Sequence, residues 1–474
     1  MRRIGEHVVV LGGGMAGLLA ARALADAYER VTVVERDASS PDGQARKGVP
    51  QGRHVHLLLS RGQRVLEELF PGLGDELIAG GAVVAEPGLE HRFVVGGHLL
   101  RKAPIGGRAI QASRPFLEGY VRERLRSRPG VRFVEGCDVV GLMAIGPERV
   151  TGARIIGRVR GGVEEELPAD LVVDAMGRGG RTSVWLEALG VERAAADEVQ
   201  IGMAYSSRYL RLPPDALSDK AVAVGPRPEW PRGMAMLAVE GDRHLLTLAG
   251  VRHRNRPPTS PEGFLAYAAG TAPPDVFAAI QAAEPLGEVV AHRYPSDLRR
   301  RYERLRHFPA GLLVTGDALC SFDPIYGQGM TVAALEAVIL SGCLAAGADD
   351  LPRRFFRAAA KTLDAPWRLA VSADLALSET KGPRATRLFN AYVDRLQQTA
   401  ERDTAVAEQF LRVVGLLDPP SRLVRPSILA RVASTGLRRA ATPVTGETGR
   451  TLALRPAGQT MGRAAPDDAR DVAE

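Results

Sequence analysis

HVVVLGGGMAGLLAARALADAYERVTVVER, residues 7–36, reads as strand, glycine turn, helix, strand and acid. His7–Leu11 is an apolar run of the kind that forms a strand buried on both faces. Gly12, Gly14 and Gly17 follow in the spacing G-x-G-x-x-G, and Met15 to about Tyr28 is rich in the strong helix formers Ala and Leu. Val31–Val34 is a second β-branched run, closed by Glu35. Gly12 permits the turn, Gly14 lets a pyrophosphate approach the backbone, and Gly17 lets the helix pack close to the strand. Free N–H groups at the helix start, together with its positive dipole end, suit phosphates. Glu35 stands where a carboxylate can accept hydrogen bonds from a ribose diol. A G-x-G-x-x-G alone is weak in a chain with 52 glycines among 474 residues. Strand, helix and acid in the right order make it a dinucleotide site. The motif does not separate FAD from NAD.

The length implies two or three domains. A 45% apolar and 25% charged composition is that of an ordinary globular protein. Cys137, Cys320 and Cys343 lie far apart, so neither a disulfide framework nor a zinc site is expected, and a cytoplasmic setting fits. The net charge of +7 is carried mainly by dispersed arginines, which argues against nucleic-acid binding. The densest block, Arg299–Arg306, reads as the solvated face of a short helix. The short apolar run Val8–Leu11 is not a signal peptide. No window of about 18 apolar residues is free of charge, so no membrane span is expected.

Beyond the first unit, ASSPDGQ is a turn-rich loop, and Arg46–Arg53 (RKGVPQGR) leads to His54-Val55-His56. Helices are expected over Arg61–Phe70 and from Pro115 to about Ser127, the latter capped by Ser113. A strand is expected over Val131–Glu135 and a hairpin over Val150–Val159 and Val163–Leu167. Leu171–Val173 reads as a second buried strand, ended by Asp174 and a glycine turn. From Glu198 the texture changes to alternating strands over Gln200–Leu212, Ala221–Gly225, Gly233–Glu240 and His244–Val251. Helical segments follow at Glu262–Gly270 and Asp275–Ala283. Gly311–Asp317 returns to a buried strand, and FDPIYGQGM (322–330) opens the apolar helix Thr331–Ala346. From residue 351 the period is helical, with proline breaks at Pro366, Pro383 and Pro419-Pro420. Phe410–Ala433 reads as helices packed over the substrate sheet, or as an amphipathic membrane-surface or dimer pair. The tail from about Ala441 reads as mobile.

The three glycine-marked strand ends, with Arg114, resemble the group A FAD-dependent monooxygenases of the para-hydroxybenzoate hydroxylase fold, over roughly residues 7–350. The family form has Gly directly after the Asp of the second motif, where this chain has Ala175. RKGVPQGRHVHLLLSRG and FDPIYGQGM resemble the actinobacterial FAD epoxidases of polyketide and polyether biosynthesis. That branch tends to have Asn at the position of Asp323 and His at that of Gln328. The resemblance implies an α/β fold: a discontinuous Rossmann-like FAD-binding domain (1–75, 101–185 and 290–350), an inserted mostly antiparallel substrate sheet (76–100 and 186–289), a C-terminal helical region (351–435) and a flexible tail (436–474). It implies FAD contacts for Gly12, Gly14, Met15, Ala16, Gly17, Glu35, Arg36, Arg46, Arg114, Val139, Asp317, Pro324, Gly327, Gln328, Gly329 and Met330. Arg53 also lies where the family has a flavin-side arginine. Met203, Tyr205, Met236 and Phe322 are candidates for the substrate pocket or for packing. No catalytic side chain and no metal ligand set is assigned; His54 and His56 read as ordinary hydrogen-bonded histidines.

The implied chemistry is reduction of FAD by NAD(P)H, addition of O2 as a C4a-hydroperoxyflavin, and transfer of one oxygen atom to a large apolar small molecule. With no second nucleotide motif, the nicotinamide binds transiently, or a separate flavin reductase supplies the electrons. Epoxidation of a polyketide olefin leads. Aromatic hydroxylation, oxidation or reduction of a C–C bond, and a non-catalytic flavin-holding scaffold are the competing readings. The W-x-W-x-I-P signature of tryptophan halogenases is absent, so halogenation is not expected.

Overall fold

The structure is a computed structural model that describes residues 3–38, 46, 48–159, 162–378 and 383–440, with side chains as far as residue 434. The loop read after Glu35 and the tail read from Ala441 lie almost wholly outside these residues. The first unit forms as the apolar pattern requires. Strand Gly5–Leu11 runs into helix Met15–Leu24 and then strand Tyr28–Glu35. The helix ends sooner than its alanine content suggested, because Tyr28 already belongs to the second strand and packs against Gly5.

A five-stranded parallel sheet is built around this unit. Its order is Leu312–Val314, Leu171–Asp174, Gly5–Leu11, Tyr28–Glu35, Val131–Glu135. Strand ends separated by hundreds of residues therefore lie side by side, with Leu11 against Asp174 and Asp174 against Val314. One continuous core holds the sheet, its helices and the start of the long helix Leu351–Leu377. A three-stranded meander of Cys137–Ile145, Arg149–Gly157 and Glu164–Pro168 flanks it; its first strand went unread in the sequence.

The second sheet has eight strands and is largely antiparallel. Ala196–Arg211, Arg243–Val251, Arg232–Val239 and Ala221–Val224 lie in spatial sequence, followed by His91–Val95 and His98–Leu99. Helices Pro261–Ala269 and Pro274–Ala282 cover one face through Met234, Met236, Leu246 and Leu248. The sequence reading missed the strand Glu284–Arg300 altogether. It pairs with Ala196–Arg211 along its length and with only Cys320–Ser321 on its other side, so much of it is an edge. Pro295 sits at a register shift, where a proline costs no ladder bond. The chain returns to the first sheet at Leu312–Val314, within the stretch Gly311–Asp317 read as a buried strand. The Arg299–Arg306 reading holds in part: Tyr302–Arg304 is a short 3-10 turn and Arg304 and Arg306 are exposed, but the first arginine is not solvated. Arg299 is 1% exposed and stands next to last in that strand, with Nη1 on Asp364 at 2.8 Å and Nη2 on the Ala360 carbonyl at 3.0 Å.

Those partners belong to Leu351–Leu377, which runs straight through Pro366 rather than breaking there. Helices Arg384–Ala400, Thr404–Val414 and Pro426–Ala440 complete the described residues. Leu396, Phe410, Leu411 and Ile428 share a core with Leu100, Ala103 and Ile105, so the C-terminal helices pack over the far edge of the second sheet. No described helix is long and apolar enough to cross a membrane.

Candidate active site

Gly14 is the N-cap of the first helix and has no side chain to satisfy the first-turn N–H groups. A Cβ built on it would meet nothing within 4 Å, so open space lies where an anion would sit. A Cβ on Gly17 would overlap the Gly12 carbonyl, so that glycine is needed for packing. Met15 is buried and Ala16 half-buried in the same turn.

Glu35 is buried at the end of the second strand. Its Oε2 accepts the Gly13 N–H at 2.9 Å and its Oε1 the Asp37 N–H at 3.1 Å, and Arg46 is ion-paired to it. Arg46 also donates to Glu118 at 2.9 Å and to the Gly13 carbonyl at 3.1 Å, and Arg122 donates to the same carbonyl at 2.6 Å. Burial alone would raise the Glu118 carboxyl, but Arg114 and Arg46 beside it hold it at about 2. Arg114, Glu118 and Arg122 are four residues apart on helix Arg114–Arg126, hence on one face. That spacing could have flagged Glu118 and Arg122, which sequence reading passed over. Arg36 is exposed, and so is Arg53; Val139 is half-buried on the strand Cys137–Ile145. An Arg46→Ala variant leaves Glu35 and Glu118 buried with one cation fewer. It is expected to lose ~3–5 kcal/mol of stability in denaturant titrations, and an unchanged midpoint would contradict this role for the network.

The second strand end serves its own turn. Asp174 Oδ1 accepts the Met176 N–H at 2.9 Å, and its other oxygen takes the Thr182 hydroxyl. The third reaches the first motif. Gly316 has φ +63°, and a Cβ there would overlap that of Ala16, so two turns that are 300 residues apart touch. Glu336, buried in helix Gly329–Ala345, fixes the turn by accepting the Thr315 hydroxyl and the Gly316 N–H, both at 2.6 Å. The turn displays the half-buried Asp317, whose carboxyl is raised by burial and partly held back by Arg114 and Arg178.

Pro324–Tyr326 makes one 3-10 turn, Gly327 follows at φ +63°, and Gln328 caps Gly329–Ala345 without a side-chain bond. A Cβ on Gly329 would lie 3.9 Å from Asp317 Oδ1, so the carboxylate faces the open helix start. Met330 is buried behind it. An uncapped helix start at each end, an unfilled cradle at Gly14 and a displayed carboxylate between them are the features an extended dinucleotide such as FAD requires.

A cavity of about 740 Å³ opens between the second sheet and the C-terminal helices, and its near end is Pro324–Gln328. Ala235 and Ala249 line its floor, Leu369 and Leu377 its roof. The C-terminal helices thus supply part of the cavity, for which the sequence reading named only Met203, Tyr205, Met236 and Phe322. Of the four pocket candidates, Tyr205 lines this cavity. Met236 borders it while packing into the core on the sheet's opposite face. Met203 packs with Ile201 and Tyr294, and Phe322 lies 6.2 Å from Trp367 between ring centroids; both are core residues.

Three fully buried carboxyls lie under the near end: Asp297, Asp323 and Asp374. The Tyr205 hydroxyl donates to Asp323 and that of Tyr326 to Asp374, the latter at 2.6 Å. Asp297 accepts the Asp323 N–H at 2.7 Å. Among the described residues no lysine or arginine ion-pairs with any of the three. Burial lifts Asp323 to about 7; burial, with Asp323 and Asp297 beside it, lifts Asp374 to about 10. Asp297 and Asp374 come from a strand and a helix with no motif to mark them.

His56 and His54 are neutral, since burial lowers them to about 3 and about 4. His56 Nδ1 donates to the His54 carbonyl at 2.9 Å, which leaves Nε2 to accept from Arg114 at 3.2 Å.

Residues 6–350 match the family described as FAD binding domain, and the chain belongs to that family of FAD-binding monooxygenases, with the group A fold. Protein Rv3254 of Mycobacterium tuberculosis is 36% identical over 454 residues, 91% of this chain and 94% of that protein. A kynurenine 3-monooxygenase of Salinispora tropica is 30% identical over 369 residues, 74% of this chain and 75% of that enzyme. Among solved structures, the flavin-dependent brominase Bmp2 superposes with a TM-score of 0.66 at 17% identity, over 92% of this chain and 100% of that one. The p-nitrophenol 4-monooxygenase PnpA of Pseudomonas putida gives 0.63 at 17% identity, over 89% and 100%.

Proposed function

We propose that the protein is an FAD-dependent monooxygenase that places one atom of O2 in a large apolar small molecule at the expense of NAD(P)H. Epoxidation of an olefin such as a polyketide intermediate is the leading form, and hydroxylation of an aromatic ring the second. The observation that carries the reading is the mostly apolar cavity of about 740 Å³, which ends at the turn Pro324–Gln328. The unpaired cysteines of the described chain fit a cytoplasmic setting.

Bound FAD would supply the O2 chemistry. Gly12–Gly17, Glu35 and Asp317 would hold its nucleotide and linker portions. The start of Gly329–Ala345 favours negative charge on whatever lies before it. The sheet and the roof helices line the cavity mostly with apolar groups, which would limit wasteful release of the activated oxygen. The buried acids keep the Tyr205 and Tyr326 hydroxyls directed away from the cavity.

Purified protein loaded with FAD should bleach with NAD(P)H, and polyene or phenol substrates should gain one atom of label from labelled O2. Product without that atom would favour C–C oxidation or reduction, and failure to take up FAD would remove both enzyme readings.

A further inference from the structure

The near end of the cavity has a polar spot that the FAD chemistry does not use. His54, 5% exposed, lines it, with the His292 ring 5.5 Å away and the Tyr205 ring 6.1 Å away between centroids. His54 Nδ1 lies 2.7 Å from the Ser207 hydroxyl, which lies 2.6 Å from the Thr247 hydroxyl on the neighbouring strand. Thr247 in turn accepts the Val55 N–H at 2.8 Å. The other ring nitrogen of His54, Nε2, has no protein partner among the described residues.

Hydrogen positions follow from counting donors and acceptors. If Thr247 donates to Ser207 and Ser207 donates to Nδ1, every hydroxyl hydrogen in the chain has an acceptor. In the reverse order the Thr247 hydrogen has none among the described residues. The first order puts the imidazole hydrogen on Nε2. The neighbouring tyrosines do not compete as donors, because their hydroxyl hydrogens are committed to Asp323 and Asp374.

We propose that His54 is a specificity-determining residue whose Nε2–H hydrogen-bonds a neutral oxygen acceptor, a carbonyl, on an otherwise apolar substrate. Ser207 and Thr247 are positioning residues that fix its tautomer. Burial, with His292 and Arg53 nearby, keeps the ring uncharged, and a buried neutral donor in a mostly apolar cavity matches a ketone, ester, amide or quinone oxygen. This rests on reading the cavity as the substrate site, and its test needs no turnover.

The probe is the solvatochromic ketone propionyl-dimethylaminonaphthalene, titrated into the FAD-loaded protein. Wild type should bind it saturably, with the emission of a hydrogen-bonded carbonyl. His54→Gln keeps an N–H donor and should retain that emission. His54→Leu should shift the emission to the blue and weaken binding about tenfold, the fold-change of one neutral hydrogen bond. The propyl analogue, which lacks the carbonyl, should bind wild type and His54→Leu alike. Nitrogen-15 spectra of the histidines should show His54 protonated at Nε2 and bare at Nδ1. Equal emission and affinity in wild type and His54→Leu, no saturable binding by wild type, or a proton on Nδ1 would each overturn the proposal. A protein that passes these tests but inserts no oxygen would overturn the monooxygenase reading and leave the carbonyl subsite standing.

Discussion

A Gly14→Val variant is expected to fold like the wild-type apoprotein and to lose FAD. The site for the new side chain is open, with nothing within 4 Å of a Cβ, and Gly14 has φ −76° and ψ 179°, which valine adopts without strain. The space it fills is the one a pyrophosphate needs at the helix start. Affinity should fall by about a hundredfold or more, as expected when direct approach of a phosphate to backbone N–H groups is blocked. Gly17→Ala should behave in the opposite way. Its methyl would overlap the Gly12 carbonyl, so the damage falls on strand–helix packing and the apoprotein itself should be destabilised. Melting curves of the two apoproteins and flavin fluorescence titrations separate the cases. If Gly14→Val binds FAD normally, the cofactor does not lie at this turn.

The second large effect concerns pH. Burial raises Asp323 in the folded protein to about 7 and Asp374, through burial and its acidic neighbours, to about 10. A carboxyl whose folded pKa is raised holds its proton more tightly folded than unfolded. The stability it contributes is complete below the unfolded pKa and is lost as pH rises through the folded one. Wild-type stability should therefore decline from about pH 4, more steeply up to about pH 7, where both carboxyls contribute, and more gently from there to about pH 10, where Asp374 alone does. Asp323→Asn keeps the acceptor for Tyr205 and Ile325 and cannot ionise. It should halve the slope below about pH 7, where Asp374 still contributes, and be more stable than wild type at pH 8, by on the order of 2–4 kcal/mol. Denaturant midpoints measured across pH decide this, and parallel profiles for the two proteins would mean that Asp323 does not titrate in this way.

Much of the nucleotide half was legible because its signals are local. Strand, turn and helix from His7 to Glu35 follow one another without a gap, and Gly316-Asp317 ends a short apolar run. The strand Glu284–Arg300 was not legible. Arginines and glutamates on its solvated side, with Gly287 and Pro295, hide the two-residue alternation. Pro366 misled in the other direction: tertiary packing of Phe356, Leu363 and Ala370 carries the helix through it. The cavity was the least legible part. His54, Ser207 and Thr247 come from a loop and two strands, and Asp297, Asp323 and Asp374 from a strand, a turn and a helix. Only the fold brings them together, and no spacing in the chain records their meeting.

The touch between Gly316 and Ala16 also sets a schedule for synthesis. A ribosome adds about 5–20 residues per second, so the glycine turn at the first helix waits roughly 15–60 s for its counterpart to be made. Until Leu312–Val314 joins the parallel sheet, the nascent chain carries one end of a cofactor site and an open strand edge at Leu171–Asp174. During this interval the chain is open to misassociation, and completion of the last sheet strand both closes that edge and forms the second half of the site.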